Sequence, residues 1–146
     1  MAYTIKPIDA KDTHAVRHPI LRAGMPLEAC IFPGDTLATT IHLGVFLKKE
    51  VIGVGSFLKN KHSAFPENKQ YQLRGMAILK AFQKKHLGKM LLEYAENKLR
   101  ETDAQILWCH AREDAIAFYK KNGFTPLGDP FFIQSAGIHL VMYKYL

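Results

Sequence analysis

The chain has 146 residues, of which 48% are hydrophobic and 11% aromatic, and this is enough for one domain with a full core. No stretch approaches the roughly 18 continuous apolar residues of a membrane span, and no export signal is evident, so we expect a single cytoplasmic domain over residues 1–146. The formal charge of +7 favours a polyanionic or phosphorylated partner, whereas the two cysteines indicate neither a disulfide framework nor a zinc site.

The first half of the chain predicts a strand, a helical region, a loop and a β-hairpin. The strand is TIKPI, and the helical region after it carries Pro19, which should interrupt or restart a helix. The stretch GMPLEACIFPGDT is rich in turn residues and predicts a loop. Apolar residues alternate over Ile41–Leu47, which predicts a strand with two unlike faces. A turn then leads into a second strand at Val51–Leu58.

The second half alternates strands with helices. Strands are predicted for YQLRGMAIL, ILWCHA and the final HLVMYKYL. A long amphipathic helix within residues 81–103 separates the first two, and a short helix, EDAIAFYKKNG, followed by a turn separates the last two. This order predicts an α/β domain with a mixed sheet flanked by helices, in which the strands on either side of the long helix are parallel neighbours.

The long helix is predicted to begin with unusual charges. No acid precedes Glu93, although a helix N-terminus is the positive end of the backbone dipole, and the first turns carry Lys80, Lys84, Lys85, His86 and Lys89. These side chains could simply be solvated, or a phosphate could bind them together with the free N–H groups of the helix. Gly88 in the first turn and Gly75 in the preceding strand would let the backbone approach such a ligand closely.

Two motifs resemble the GNAT superfamily of N-acetyltransferases. Residues 83–89, Gln-Lys-Lys-His-Leu-Gly-Lys, resemble its pyrophosphate signature of Gln or Arg, two variable residues, Gly, one variable residue, and Gly or Ala. Residues 114–124, DAIAFYKKNGF, resemble its helix N-A-x-x-F-Y-x-x-x-G-F. Because both occur in the right order on the right elements, the resemblance is specific over Tyr71–Phe124.

The resemblance implies a GNAT-like acyl-CoA N-acyltransferase fold, an α+β mixed sheet with splayed central parallel strands that binds acetyl-CoA without a metal. Backbone groups at Met76, Ala77 and Ile78 would contact the pantetheine arm and the acetyl carbonyl. The diphosphate would be held by Gln83, Lys84, Lys85, His86, Leu87, Gly88 and Lys89. His86 stands where the signature has glycine. Asp114 stands where the family has an Asn that reaches the pantetheine, and it lacks the amide donors of that residue.

Acetyl transfer requires a neutral amine, a stabilised oxyanion and a proton for the departing thiolate. The resemblance gives Tyr119 the role of acid, although a residue at the edge of the core would have the same spacing. Arg74 stands where many relatives have a glutamate base. The best substitute is His110, since histidine titrates near neutrality, although it could instead only fix a loop; His139 and Glu28 are weaker candidates.

Cys109 directly precedes His110 in the predicted strand. Consecutive strand residues point to opposite faces, so the two side chains should not form a cysteine–histidine nucleophile pair. We expect Cys109 to be a small buried residue.

The sequence therefore predicts an N-acetyltransferase that transfers the acetyl group of acetyl-CoA directly to a primary amine of a small-molecule or peptide acceptor in a ternary complex. Two alternatives stay open. One is a catalytically silent acetyl-CoA sensor, suggested by the missing glutamate. The other is a basic nucleic-acid or ribosome-associated module, which the clustering of lysines at one helix start disfavours. The acceptor cannot be read from the sequence, and the final strand could pair across a homodimer.

Overall fold

The computed structural model describes residues 2–134 and 136–146. The chain forms two compact units. The first comprises the residues up to Leu58 together with Arg74–Lys98, and the second comprises Lys59–Leu73 with Leu99–Leu146. That the whole chain acts as one domain stays a prediction.

Within the described residues, seven strands and three α-helices account for the regular structure. The strands are β1 (Tyr3–Pro7), β2 (Ile41–Leu47), β3 (Glu50–Lys59), β4 (Gln70–Ile78), β5 (Ile106–Arg112), β6 (Thr125–Ile133) and β7 (Gly137–Tyr145). The helices are α1 (His14–Leu21), α2 (Leu87–Glu101) and α3 (Ile116–Lys121). Short 3-10 turns lie at Ala10–Thr13, Leu27–Cys30, Lys80–Phe82 and Glu113–Ala115.

The strands form a mixed sheet in the order β1-β2-β3-β4-β5-β7-β6, as the sequence predicted for its class. β4 and β5 flank the long helix and are parallel, which confirms that prediction. Their ladder joins Gln70–Gln72 to Ile106–Trp108, three residues of strands that are nine and seven residues long. β7 pairs antiparallel with both β5 and β6.

The spacing of apolar residues in α2 predicts its packing correctly. Leu87, Leu91, Ala95 and Leu99 recur every fourth position, and all four are buried. A second buried cluster in the first unit joins Val16 of α1 to strand residues Val54 and Ala77.

The prediction that Pro19 interrupts the first helix is wrong, because α1 runs through it to Leu21. A proline at this point removes one hydrogen bond, to the carbonyl of Ala15, and Ala15 is exposed so that water can replace the lost donor. Val16 and Arg17 are buried on the other side of the helix. Tertiary packing therefore holds a helix that local propensity disfavours.

The residues after α3, predicted to be only a turn, form the strand β6. Its sequence includes Pro126, Gly128, Asp129 and Pro130, which are turn residues, and its register against β7 shifts between Leu127 and Phe131. β6 is the last strand in the sheet order, where a proline can be accommodated because one side of an edge strand makes no ladder bonds.

β2 does not have the two unlike faces that its alternating sequence predicts. His42, Leu43, Gly44 and Val45 are all buried, and the polar His42 has internal hydrogen-bond partners. Both faces of this part of β2 are therefore covered.

Candidate active site

β4 ends at Ile78 and α2 begins only at Leu87, so the segment between them, residues 79–86, is a loop that we call the lysine loop. The predicted helix start is therefore corrected: Lys80, Lys84 and Lys85 precede the helix, and Lys89 lies in its first turn. The loop folds back on the end of β4, where Gln83 Nε2 donates a hydrogen bond of 2.9 Å to the carbonyl of Ile78.

The backbone of the lysine loop explains why the helix starts late. Lys84 and His86 both have φ 62°, in the left-handed region that residues with a Cβ rarely adopt. Residue 86 is the position at which the family signature has glycine, and a left-handed backbone gives that glycine a physical reason. Here His86 adopts the same conformation at a higher conformational cost.

The charged side chains of the lysine loop face solvent. Exposed side chains are found at Lys80, Lys84, Lys85, His86 and Lys89. Lys89 Nζ lies 3.9 Å from Glu93 Oε1, but both side chains are exposed and such pairs contribute little. The first hydrogen bond of α2 runs from the amide of Met90 to the carbonyl of His86 at 3.1 Å. The preceding N–H groups of a helix have no partner within it.

The last residues of β4 combine a buried side chain with two half-buried ones. Ala77 packs against Val16 and Val54 in the core of the first unit. Met76 and Ile78, on either side of it, are half-buried.

Gly75 has φ 62° inside β4, and its Cβ position is closely surrounded. A Cβ at this position would lie 2.9 Å from Phe32 Cε2 and 3.1 Å from Arg17 Nε. The groups that approach this backbone are therefore side chains of the protein itself.

The sequence did not reveal a buried polar cluster beneath the loop between α1 and β2. Its centre is Arg17, which is 0% exposed and forms a bidentate pair with Asp35, with N–O distances of 2.6 and 3.1 Å. Arg17 also donates to the carbonyl of Cys30 at 2.8 Å and to Ser56 Oγ at 2.9 Å. Its guanidinium carbon lies 4.0 Å from the centre of the Phe32 ring.

His42 completes this polar cluster. Its Nε2 donates to the backbone carbonyl of Asp35 at 2.8 Å, so with His42 neutral its Nδ1 accepts the hydroxyl hydrogen of Ser56 at 2.6 Å. Burial raises the pKa of Asp35, but hydrogen bonds from Arg17 and the Phe32 amide and nearby positive charge outweigh it and leave the pKa below its usual value. No sequence pattern indicated the cluster, because Arg17 and Asp35 are 18 residues apart with an irregular loop between them.

Arg74, which stands where many relatives have a glutamate, is half-buried and points to the same loop. Its Nη1 donates to the carbonyl of Pro33 at 2.9 Å. Burial lowers its pKa, but an arginine remains charged at neutral pH. A guanidinium cannot serve as the general base.

In the second unit, the predicted acid Tyr119 is buried in α3. Its ring lies 5.2 Å from the rings of both Phe118 and Phe124. Burial raises the pKa of the Tyr119 hydroxyl well above its usual value, and the nearby Cys109 thiol raises it further. Burial also raises the pKa of Cys109 to about 12. Both groups are therefore protonated at neutral pH.

His110 and Tyr119 are not brought together. In β5, Cys109 is buried and His110 is exposed, as alternation requires, and Tyr119 lies near Cys109. The His110 ring belongs to an aromatic cluster on the other face, 5.3 Å from Trp108 and 5.1 Å from Phe131. If both residues act, they act on opposite sides of β5.

The remaining candidates have simpler surroundings. Asp114 is exposed in the turn between β5 and α3, and Glu28 is exposed in the turn after α1. His139 is buried, and its Nδ1 lies 2.8 Å from the carbonyl of Gly137.

In the part of the chain that the structure describes, no group of three or more His, Cys, Asp or Glu residues could hold a metal ion. The helices described there are all too short or too polar to cross a membrane.

Comparison with known proteins identifies the family. Residues 15–124 match the profile of the acetyltransferase (GNAT) family. The chain belongs to the GNAT family of acetyltransferases. It is similar to the uncharacterized N-acetyltransferase YitI of Bacillus subtilis strain 168, with 39% identity over 142 residues that cover 97% of this chain and 95% of the relative.

Solved GNAT structures share the fold. A putative N-acetyltransferase from Lactobacillus plantarum has a TM-score of 0.81 and 17% identity, covering 100% of this chain and 99% of that one. A GNAT acetyltransferase from Elizabethkingia anophelis, solved with acetyl-CoA bound, has a TM-score of 0.71 and 14% identity, covering 99% of this chain and 98% of that one. The predicted GNAT fold and the enzyme class, N-acetyltransferase, are thereby confirmed.

Proposed function

We propose that the chain transfers the acetyl group of acetyl-CoA to a primary amine of a small-molecule or peptide acceptor, by direct attack of the amine. The observation that carries this proposal is the lysine loop, in which an exposed left-handed turn at Lys84 and His86 precedes the free N–H groups of α2. Backbone donors and unpaired cations in one short segment suit a diphosphate.

The residues of the first unit fit the cofactor's chemistry. Its diphosphate would be held by Gln83, Lys84, Lys85, His86, Leu87, Gly88 and Lys89. Met76, Ala77 and Ile78 at the end of β4 would hold the pantetheine and the acetyl carbonyl through backbone groups. Asp114 stands where the family has a residue that reaches the pantetheine, and it stays the candidate for that contact. When bound, acetyl-CoA supplies an activated acetyl group as a thioester.

Tyr119 would donate the proton that the departing sulfur requires. Its raised pKa keeps the hydroxyl protonated over the whole neutral range, so the donor is always in the correct state. His110 would accept the proton that the attacking amine loses. The amine nitrogen and the sulfur are bonded to the same carbon in the tetrahedral intermediate, so His110, on the opposite face of β5 from Tyr119, would have to accept the proton through water.

Tyr119→Phe tests the proposal. The variant removes one oxygen from a buried ring and should leave CoA binding unchanged, while kcat for acetylation of an amine panel falls about 100-fold or more. Tyr94→Phe, on the half-buried side of α2, is the matched control and should retain wild-type activity.

His110→Gln should lower kcat/KM most for amines that are protonated at the assay pH and least for amines that are already neutral. If the wild type binds CoA and acetylates no amine in the panel, the enzyme proposal fails and a silent acetyl-CoA sensor is the better account. If no heat shift occurs with CoA and RNA binds with steep salt dependence, the chain is a nucleic-acid module.

A further inference from the structure

Two guanidinium groups in the first unit share one carboxylate. Arg17 holds Asp35 in a bidentate pair and is completely buried. Arg74 lies against the same loop, two residues before Asp35 at Pro33, and the charges of both Asp35 and Arg17 act on it. The cluster therefore carries one more positive charge than negative charge, in a partly buried place where unpaired charge is costly.

The carboxylate of Asp35 has no capacity left for Arg74. Oδ2 accepts from Arg17 Nη1 and from the Phe32 amide, at 2.6 and 2.9 Å, and Oδ1 accepts from Arg17 Nη2 at 3.1 Å. The described residues give Arg74 one hydrogen-bond acceptor, the carbonyl of Pro33, which uses one of its five N–H donors. The planar fork of Arg74 is thus held in place at one end, and its other donors are accessible to solvent or to a ligand.

The position of Arg74 connects this excess charge to the reaction. Arg74 precedes Met76 by two residues of β4, so their Cα atoms lie at most about 7 Å apart. The proposed function puts the pantetheine and the acetyl carbonyl against backbone groups of residues 76–78, the segment that begins at Met76. An acceptor whose amine reaches that carbonyl can therefore extend back along β4 toward the Arg74 guanidinium.

We infer that Arg74 recognises an anionic group on the acceptor, and that the acceptor is an amine that also carries a carboxylate. This inference rests on the proposed function. A carboxylate matches the two parallel donors of a guanidinium, and it would neutralise the charge that Asp35 leaves unpaired. Arg74 would then set acceptor specificity at the position where many relatives have a base.

The experiment compares matched acceptors with and without this charge, and kcat/KM is calculated for the neutral amine because an amide also lowers the pKa of the neighbouring amine. Amino acids and dipeptides are assayed as free acids and as C-terminal amides. Phosphoethanolamine is compared with ethanolamine to test whether a phosphate is recognised in place of a carboxylate. For wild type, kcat/KM should be higher for the acid than for the amide. In Arg74→Gln the acid-to-amide ratio should fall about 10- to 100-fold, through KM, and in Arg74→Lys it should fall less.

Arg100→Gln is the matched control, because it removes one exposed positive charge from α2 and should leave the acid-to-amide ratio at the wild-type value. A purely structural role for the Arg74–Pro33 bond would lower both acceptor types equally and leave the ratio unchanged, which overturns the inference. A preference for phosphoethanolamine over all carboxylates overturns the carboxylate assignment and keeps the anion site.

Failure of the proposed function is distinguishable from failure of the inference. Transfer to amines without any dependence on the carboxylate overturns the inference alone. If no amine is acetylated although CoA binds, the proposed function fails, and calorimetry of the acids and amides with the CoA-loaded protein decides the inference. Binding of the acids that is lost in Arg74→Gln supports the anion site, and equal or absent binding overturns it.

Discussion

The first unit contains two kinds of positively charged side chain, one buried and paired within the protein and the other exposed to solvent. Arg17 is completely buried, and four of its five donors are satisfied by Asp35, Ser56 and the carbonyl of Cys30. The lysine loop instead exposes its cations, and just after it, in the first turn of α2, the ion pair that Lys89 makes is long and solvated. Charges that the protein neutralises itself contribute to the fold, whereas charges that it leaves unpaired are available to a ligand.

The largest effect on stability should come from removing Arg17, the buried and neutralised charge. Arg17→Ala leaves the Asp35 carboxylate buried without its partner, and we expect a loss of about 3–5 kcal/mol in the free energy of unfolding. Chemical denaturation measures it. Arg22→Ala, which removes a half-buried arginine 4.8 Å from the same Phe32 ring, should cost no more than about 1 kcal/mol.

Acid titration sharpens the same prediction. The folded-state pKa of Asp35 is lowered, so its contribution is present above the unfolded pKa of about 3.9 and is lost as pH falls through the lower folded value. Arg17→Ala should show a smaller loss of stability over that acid range than the wild type. An equal pH dependence of the two proteins would contradict the role of the pair.

Gly75→Ala should be the next largest effect, a loss of about 2–3 kcal/mol in the free energy of unfolding. The new Cβ would combine a left-handed backbone with contacts of 2.9 Å to Phe32 and 3.1 Å to Arg17 Nε, the donor left without a partner among the described residues. Gly24→Ala is the matched control, because Gly24 has φ 77° with nothing within 4 Å. It should cost about 1 kcal/mol, and equal costs would show that crowding at Gly75 is unimportant.

Removing charge from the lysine loop should affect the ligand and not the fold. The double variant Lys84→Gln, Lys85→Gln should bind CoA about 10-fold more weakly at low salt, with a smaller difference at high salt and an unchanged unfolding midpoint. Calorimetry at two ionic strengths measures this. The control pair is Lys48→Gln, Lys49→Gln, in the exposed turn between β2 and β3, where Lys48 is also left-handed at φ 57°. Equal losses in both pairs would mean that only net charge matters.

The smallest expected effect is that of His86→Gly. Glycine adopts φ 62° without strain, so the variant should gain about 0.5–1 kcal/mol in stability and preserve or tighten CoA binding. Lys48→Gly should show a similar gain in stability without any change in affinity. A large loss of CoA affinity in His86→Gly would instead identify the imidazole as a phosphate ligand.

The sequence predicted those parts of the fold that depend on local pattern. The fourfold apolar spacing of α2 identified its buried face, and the strand–helix–strand order identified β4 and β5 as parallel neighbours. It failed where distant residues decide the outcome. α1 continues through Pro19 because Val16 and Arg17 are buried, and β6 exists because an edge position accommodates its prolines.

The sequence by itself determined the family and the class of reaction, because these depend on short contiguous motifs such as Gln83–Lys89, and it predicts the segment that would bind a diphosphate. Only the tertiary structure decided that Lys84 and His86 are left-handed and that Arg17 consumes the carboxylate of Asp35 and leaves Arg74 unpaired. Hydrogen bonds between residues 18 or more positions apart leave no periodic trace in a sequence. The balance of charge in a partly buried site is therefore visible only after the chain has folded.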